Sequence, residues 1–140
     1  MLLLVRHAEA GHRGDWEGDD RLRPVDERGS SRSEALVATL ARFGPERILS
    51  SPAVRCTQTV EPLAAALGLP VEETEDLAEN AGRERALALA RGLQRTVAVL
   101  CTHGDVVEEL LGEESEKGST WVLELGEDGL VRREYVPPPE

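Results

Sequence analysis

The 140-residue chain is 40% apolar and 31% charged, a composition that indicates one soluble domain, residues 1–140, and excludes an intrinsically disordered chain. Its formal net charge of −11 and its single lysine argue against a nucleic-acid partner, because phosphate neutralisation needs clustered basic side chains. No apolar run approaches the ~18 residues that cross a bilayer and no secretory leader is evident, so we expect a cytoplasmic protein without membrane contact.

The chain is predicted to open with a buried strand, a long loop and an amphipathic helix. Residues 1–5 form a continuous apolar run, which is typical of a strand buried on both faces of a parallel sheet. Residues 11–28 are polar and punctuated by glycine, which indicates a surface loop. Ser31 and Glu34 have capping-box spacing, so a helix is predicted to start there and to end at Gly44.

Strands and helices alternate in the rest of the chain. The predicted elements are a strand at 47–50, a helix from 51 to 68, a helix at 83–93, a strand at 96–101, a helix at 105–111 and a hairpin of strands 121–125 and 130–136. Pro62 is expected to kink or split its helix, and Asp105 with Glu108 is expected to cap a later one. Residues 137–140 are expected to form a frayed tail. This order predicts an α/β fold, a three-layer α/β/α domain with a mostly parallel sheet.

Polar side chains follow three of the predicted strands. Arg6-His7 ends the first, Ser50-Ser51 with Arg55 follows the second, and Thr102-His103-Gly104 follows a later one. Ligands of such sheets bind beyond the carboxyl ends of the strands. Two imidazoles and two guanidinium groups would be costly in a core, but they suit a phosphoryl group. The sequence therefore predicts a phosphate site at this edge.

The residue types at this edge also suggest chemistry. A neutral imidazole such as that of His7 can attack phosphorus, and the forks of Arg6 and Arg55 match phosphate oxygens. His103 precedes a predicted helix and can donate hydrogen bonds to the phosphoryl group. Each opposite charge ~4 Å away contributes roughly 4 kcal/mol at an effective dielectric of 20, so local cations can hold phosphate despite the acidic chain.

Three motifs in order resemble the histidine phosphatase superfamily, with its phosphoglycerate mutase-like fold. They are Leu4-Val-Arg-His-Ala-Glu9, Ser50-Ser-Pro-Ala-Val-Arg-Cys-Thr-Gln-Thr59 and Thr102-His-Gly104. Within the superfamily, Arg23-Pro24-Val25 with Arg28-Gly29 is similar to the short bacterial phosphohistidine phosphatases. The same short form resembles phosphatase domains found behind Nudix hydrolases.

The resemblance implies a role for each matched residue. It makes His7 the phosphohistidine nucleophile, His103 the second catalytic histidine, and Arg6, Arg55 and Arg23 the phosphate ligands. Glu79 is the candidate general acid, with Glu75 and Asp76 as neighbouring alternatives. The implied enzyme is a phosphatase without a cofactor that hydrolyses a phosphomonoester or a phosphohistidine, on a small molecule or a protein.

Several alternatives stay open or are disfavoured at this stage. A catalytically weak phospho-ligand binding module or a mutase would use the same residues, although the short chain favours hydrolysis. A zinc site formed by His7, His12 and His103 is disfavoured, because the spacing matches no ligand pattern and Arg6 would repel a metal. Cys56 and Cys101 lack the spacing of a disulfide framework and indicate core packing. The substrate and the oligomeric state do not follow from the sequence.

Overall fold

The computed structural model describes residues 1–140, with six strands and four helices. The strands are β1 (Leu2–Arg6), β2 (Arg47–Ser50), β3 (Val71–Glu73), β4 (Ala98–Thr102), β5 (Thr120–Gly126) and β6 (Gly129–Val136). The helices are α1 (Glu27–Ala41), α2 (Val54–Leu67), α3 (Arg83–Arg91) and α4 (Gly104–Leu111). Short 3-10 turns lie at residues 13–15, 20–22 and 75–77.

All six strands belong to one sheet with the order β3-β2-β4-β1-β5-β6. The four strands β1, β2, β3 and β4 pair in parallel, whereas β5 runs antiparallel to β1 and β6 antiparallel to β5. A helix follows each parallel strand, as crossover connections require. The predicted α/β fold with a mostly parallel sheet is confirmed, and so is the hairpin at its end.

Strand β1 shows how the sheet separates two cores. Leu3 and Val5 belong to a buried cluster with residues of α1 and α2, while Leu2 and Leu4 belong to a second cluster with residues of α3 and α4. Alternate side chains of a strand point to opposite faces, so a continuous apolar run fits burial on both. Each fully buried leucine stabilises the fold by about 1.5–3 kcal/mol.

The predicted start of α1 was wrong. The helix begins at Glu27, and Asp26 caps it by accepting hydrogen bonds from the backbone N–H groups of Gly29 at 2.8 Å and Gly11 at 3.0 Å. A carboxylate that serves two backbone donors outcompetes the later Ser31 cap. Gly29 is required here, because a Cβ at that position would lie 2.0 Å from the Glu9 carbonyl oxygen.

Helix α2 begins at Val54, later than predicted, and continues through Pro62 without a break. Proline removes one helical hydrogen bond, but Val60 and Leu63 on the same turns are buried, and their packing holds the helix together. Gly68, in the left-handed conformation with φ 68°, ends the helix as predicted.

The start of helix α4 also differs from the sequence prediction, whereas the last strand ends where it was predicted to end. Helix α4 starts at Gly104 with His103 at the N-cap and no side-chain cap, because the Asp105 carboxylate accepts a hydrogen bond from the Asn80 N–H at 2.9 Å instead. At the other end of the chain, β6 stops at Val136, and the Pro139 carbonyl accepts a hydrogen bond from Arg32 at 2.9 Å. No helix is both long and apolar enough to span a membrane.

Candidate active site

The carboxyl ends of β1, β4 and β2 lie side by side at one edge of the sheet. The His7 N–H donates to the Thr102 carbonyl at 3.0 Å, and the Ser51 N–H donates to the Cys101 carbonyl at 2.9 Å. These ladder bonds place the residues that follow the three strands next to one another. The sheet therefore brings His7, Ser51 and His103 together, as the strand-end pattern predicts.

His7 is a buried, neutral imidazole. Its Nδ1 lies 2.8 Å from the Ala8 carbonyl, which can only accept, so Nδ1 carries the proton and Nε2 keeps a free lone pair. Burial is the main cause that lowers the pKa of His7 to about 3; the Ala8 hydrogen bond opposes this, and the charges of His103, Arg55 and Arg6 each lower the pKa by a smaller amount. The ring meets that of His103 edge-on, with 5.5 Å between centroids.

Thr59 ties the segment after β1 to helix α2. The Ala8 N–H donates to Thr59 Oγ1 at 2.9 Å, and the Thr59 hydroxyl donates to the Arg55 carbonyl at 2.7 Å. Thr59 is fully buried, so no water replaces these bonds. It belongs to the second sequence motif, but the sequence alone gave it no role.

His103 is buried and held from two sides. Arg55 Nη2 lies 3.4 Å from His103 Nδ1, and Ser51 Oγ lies 2.8 Å from His103 Nε2. A guanidinium group only donates, so Nδ1 accepts and Nε2 carries the proton that goes to Ser51. The Cys56 thiol packs 3.6 Å from the same Nε2. Both cysteines are free and fully buried, which confirms their predicted place in the core.

The Arg6 guanidinium lies over the start of α4. Its Nη1 donates to the Ser115 carbonyl, while its Nε is buried without a hydrogen-bond partner. A Cβ on Gly104 would lie 2.8 Å from the Arg6 Cζ, so only glycine leaves room for this arrangement. The glycine of the third motif therefore makes space for the arginine of the first.

Arg55 and Arg23 meet at a carboxylate that the sequence analysis missed, that of Asp20. Arg55 is 1% exposed, and its two terminal nitrogens contact the Asp20 carbonyl at 2.8 Å and Asp20 Oδ2 at 3.1 Å. Arg23 Nε donates to Asp20 Oδ1 at 3.0 Å, and its Nη1 donates to the Ala10 carbonyl at 2.6 Å. The spacing between Asp20 and Arg23 hints at their pair, but the contact with Arg55 spans 35 residues.

Glu79 is the acid that the structure brings into the site. Its Oε2 lies 2.6 Å from Arg13 Nη2, 3.6 Å from Arg55 Nη2 and 4.0 Å from His103 Nδ1. The alternatives Glu75 and Asp76 pair instead with other arginines at the surface, Arg21 and Arg85. Arg13 has no sequence signal, because its contact with Glu79 spans 66 residues.

A cavity of about 640 Å³ opens in front of these groups, and no hydrophobic residue lines it. Five of the six predicted site residues line it: Arg6, His7, Arg23, Glu79 and His103. The sixth, Arg55, lines an adjoining cavity of about 240 Å³ with Asp20, Glu79 and His103. His12, Arg13 and Lys117 add basic groups to the wall. The three histidines do not form a group that could hold a metal ion.

A second, largely apolar groove of about 300 Å³ adjoins this cavity. The two share Gly11, His12 and Arg23, and the groove is also lined by Ala10, Trp16, Pro24 and Val25. The Trp16 side chain is 37% exposed, and its indole N–H donates to the Asp19 carbonyl at 2.9 Å. A partly exposed aromatic face therefore lies beside the polar cavity.

Two histidines and several arginines thus lie together at the carboxyl edge of a parallel sheet, an arrangement that suits the binding of a phosphoryl group. The sequence profile of the histidine phosphatase superfamily (branch 1) matches residues 2–90, and the chain belongs to this superfamily. The resemblance stated from the three motifs is thereby confirmed.

Similarity to individual proteins agrees with this assignment. The chain is 39% identical over 158 aligned residues to an 8-oxo-(d)GTP phosphatase of Mycolicibacterium smegmatis, an alignment that covers 99% of this chain and 48% of the relative. The chain thus spans about half the length of that curated relative.

Solved structures show the same fold. The protein histidine phosphatase SixA complexed with tungstate superposes with a TM-score of 0.81 at 23% identity, over 98% of this chain and 96% of that one. Bacillus stearothermophilus YhfR gives a TM-score of 0.81 at 15% identity, over 99% and 96% of the two chains.

Proposed function

We propose that this protein is a phosphatase that transfers a phosphoryl group from a phosphomonoester to His7 and then to water. The observation that carries this proposal is the state of His7. Its Nδ1 proton is held by the Ala8 carbonyl and its pKa is lowered to about 3, so Nε2 is an unprotonated nucleophile at neutral pH. This nitrogen belongs to a residue that lines a cavity with several arginines.

The reaction proceeds in two steps. In the first, the Nε2 lone pair forms a bond to phosphorus while the bond between phosphorus and the ester oxygen breaks. The leaving oxygen takes a proton from the carboxyl group of Glu79, which must enter this step protonated. In the second step, water attacks phosphorus, the P–N bond breaks, and its electron pair returns to Nε2. Glu79 accepts a proton from that water.

Basic groups around His7 stabilise both steps. The forks of Arg6 and Arg23 match equatorial phosphoryl oxygens, where charge is spread during transfer. Arg6 Nε and Arg55 Nε are buried donors without partners in the free protein, and a phosphoryl oxygen would satisfy such a donor. His103 packs edge-on against His7, and once its Nδ1 takes up a proton and gives up its contact with Arg55, that N–H can donate to a further oxygen.

We propose a purine nucleoside phosphate as the substrate class. The groove beside the cavity is apolar, and Trp16 offers it an aromatic face on which a base can stack. The name of the 39% identical relative, 8-oxo-(d)GTP phosphatase, points to the same class. A phosphohistidine protein remains the second substrate to test, because the sequence motifs resemble that branch.

Trapping the intermediate tests the mechanism. Wild type and His7→Ala are mixed with an aryl phosphate, quenched rapidly, digested at alkaline pH and mapped by mass spectrometry. We expect phosphate on the peptide that contains His7 in wild type, and neither adduct nor turnover in His7→Ala. Phosphate release by His7→Ala at the wild-type rate would overturn the mechanism. Phosphate binding without turnover in wild type would support the binding module, and transfer between two positions of one substrate would support a mutase.

Substituting Trp16 tests the substrate class. Stacking on an aromatic side chain contributes about 1–3 kcal/mol per base, so Trp16→Ala should lower kcat/KM for a purine nucleoside monophosphate roughly tenfold. It should leave kcat/KM for glycerol phosphate unchanged. Leu22→Ala, an exposed apolar residue of the same loop, is the control and should change neither. Equal losses on both substrates, or faster hydrolysis of a phosphohistidine peptide than of nucleotides, would contradict the nucleotide assignment.

A further inference from the structure

We propose that the carboxylate of Asp20 is an internal anion that competes with phosphate for the arginines of the site and thereby sets phosphate affinity. This inference rests on the proposed function only in naming phosphate as the ligand. It concerns a residue outside the three sequence motifs, in the loop between β1 and α1. Its consequence is that removing the charge of Asp20 should tighten phosphate binding.

Three arginine side chains contact the carboxylate of Asp20. Asp20 Oδ1 lies 3.0 Å from Arg23 Nε, and Oδ2 lies 3.1 Å from Arg55 Nη2 and 3.3 Å from Arg13 Nη2. Two of these arginine side chains are at least nine-tenths buried, with 1% exposure for Arg55 and 9% for Arg23. Three guanidinium groups of separate segments thus converge on a single negative group.

The carboxylates around these arginines do not match them in charge or in hydrogen-bond acceptors. Asp20 and Glu79 supply two negative charges to Arg13, Arg23 and Arg55, which leaves one positive charge over. Arg55 Nε is moreover a buried donor with no acceptor. A phosphate dianion brings more charge and more acceptor oxygens than a carboxylate does, so it suits this cluster better.

Asp20 contacts two arginines that line the cavity and one, Arg55, that does not. Arg13 and Arg23 line the cavity, whereas Arg55 lines a smaller one of about 240 Å³ together with Asp20, Glu79 and His103. For Arg55 to turn its terminal nitrogen Nη2 towards a phosphoryl oxygen, the bond between Nη2 and Asp20 Oδ2 must be given up. The Asp20 carbonyl, which accepts from Arg55 Nη1, keeps the two residues together during that exchange.

Asp20 is charged at neutral pH and lies outside the helices and strands of the fold. Burial raises its pKa, but the hydrogen bond from Arg23 and the charges of Arg55, Arg23 and Arg13 outweigh this effect and lower it below the usual value. The residue begins a single 3-10 turn rather than a strand or helix, and its side chain is 32% exposed. Moving the Asp20 side chain therefore breaks no hydrogen bond between strands of the sheet.

The test compares Asp20→Asn with Asp19→Asn. Both variants lose one negative charge, but the Asp19 carboxylate accepts only from the Arg21 N–H and contacts no arginine of the site. Binding of inorganic phosphate is measured by calorimetry in the background of His7→Ala, so that turnover plays no part. Competitive inhibition by phosphate is then measured in the enzyme with His7 intact.

We expect Asp20→Asn to tighten phosphate binding about tenfold, because a hydrogen bond between two charged groups no longer has to be given up. Asp19→Asn should stay within about twofold of the parent protein. Equal tightening in both variants would reduce the effect to general charge and overturn the proposal. Weaker or unchanged binding in Asp20→Asn would show that the carboxylate only positions the arginines, and it would also overturn the proposal.

A further variant and a thermal unfolding measurement distinguish the role of the Asp20 carboxylate from a loss of structure. Asp20→Ala removes the carboxylate without adding an amide, and it must tighten binding in the same direction as Asp20→Asn. Thermal unfolding of both variants identifies a loss of structure. If wild type hydrolyses no phosphate ester but Asp20→Asn still binds phosphate more tightly, the proposed function fails while the role of Asp20 stands.

Discussion

The imidazole of His7 is neutral in the fold but protonates more readily in the unfolded chain. Burial lowers its pKa from 6.5 to about 3, so between these values the unfolded state binds the extra proton and the folded state does not. The stability that depends on this neutral histidine is complete above pH 6.5 and is lost as the pH falls towards 3. The slope is at most about 1.4 kcal/mol per pH unit.

His7→Gln should therefore be less sensitive to acid than wild type. Between pH 7 and pH 5, wild type should lose up to about 2 kcal/mol of unfolding free energy through His7, and His7→Gln should lack that loss. Urea unfolding at both pH values measures the difference. His12→Gln, a change at an exposed histidine, should keep the wild-type dependence. An identical pH dependence in His7→Gln and wild type would contradict a neutral, buried His7.

Glu79 is predicted to protonate the leaving group. Glu79→Gln cannot supply a proton, so kcat should fall roughly 10²- to 10⁴-fold for an alkyl phosphate. The fall should be much smaller for a nitrophenyl phosphate, whose leaving group needs little protonation. Glu75→Gln, the same change at an acid paired with Arg21 outside the cavity, is the control. Equal losses on both substrates would indicate that Glu79 only holds Arg13 in place.

The residues at the strand ends were predictable because the topology of a parallel sheet decides where strand ends meet. Arg6, His7 and His103 each follow a buried apolar run, and the alternation of strands and helices places those ends at one edge. Asp20 and Arg13 lie in a loop with no periodicity. Their partners are fixed only when the chain folds, so no local pattern identifies them.

At the scale of elements, buried strands were easier to predict than helix ends. The runs that became β1 and β4 are apolar on both faces, a strong pattern, whereas β2 has only Ile48 and Leu49 between Arg47 and Ser50. The three-residue β3 pairs with β2 at the edge of the sheet and is at most half-buried, so its sequence carries little signal. Helix starts depend on which side chain reaches the free N–H groups, and that choice is made by tertiary contacts.

The cap of α1 gives a direct test of this point. Asp26→Ala removes the acceptor of the Gly29 and Gly11 N–H groups and should lower the free energy of unfolding by about 1 kcal/mol or more. Ser31→Ala lies inside the helix and should change it by less than about 0.5 kcal/mol. Urea unfolding of both variants provides the comparison. A larger loss of unfolding free energy in Ser31→Ala than in Asp26→Ala would instead support the capping box at Ser31 that the sequence predicts.

At the scale of the whole molecule, the acidic chain gathers several of its arginines at one edge of its sheet. The net charge of −11 belongs to many exposed carboxylates, whereas Arg6, Arg23 and Arg55 are brought together by separate segments. Opposite charges within a few ångströms outweigh charges beyond a Debye length of about 10 Å at 0.1 M salt. The net charge of the chain therefore describes the charge of its surface and does not predict the charges at the site.

Thr59 connects the layers that build this site. It links Ala8, beyond the end of the central strand β1, to Arg55 in a helix of one outer layer. Thr59→Val keeps the shape of the side chain but leaves the buried Ala8 N–H without an acceptor, at a cost of about 1–3 kcal/mol. The same change releases the segment after His7, so kcat/KM should fall up to about 10²-fold through misplacement of the nucleophile.

Urea unfolding and steady-state kinetics on an aryl phosphate measure the two effects of Thr59→Val. Thr39→Val is the matched control, because the Thr39 hydroxyl makes one long hydrogen bond within α1, 3.4 Å to the Ala35 carbonyl, away from the site. It should change neither quantity by much. A Thr59→Val protein that is destabilised but keeps wild-type kcat/KM would mean that Ala8 holds its place without this bond. The alignment of His7 with Arg55 would then depend on the sheet alone.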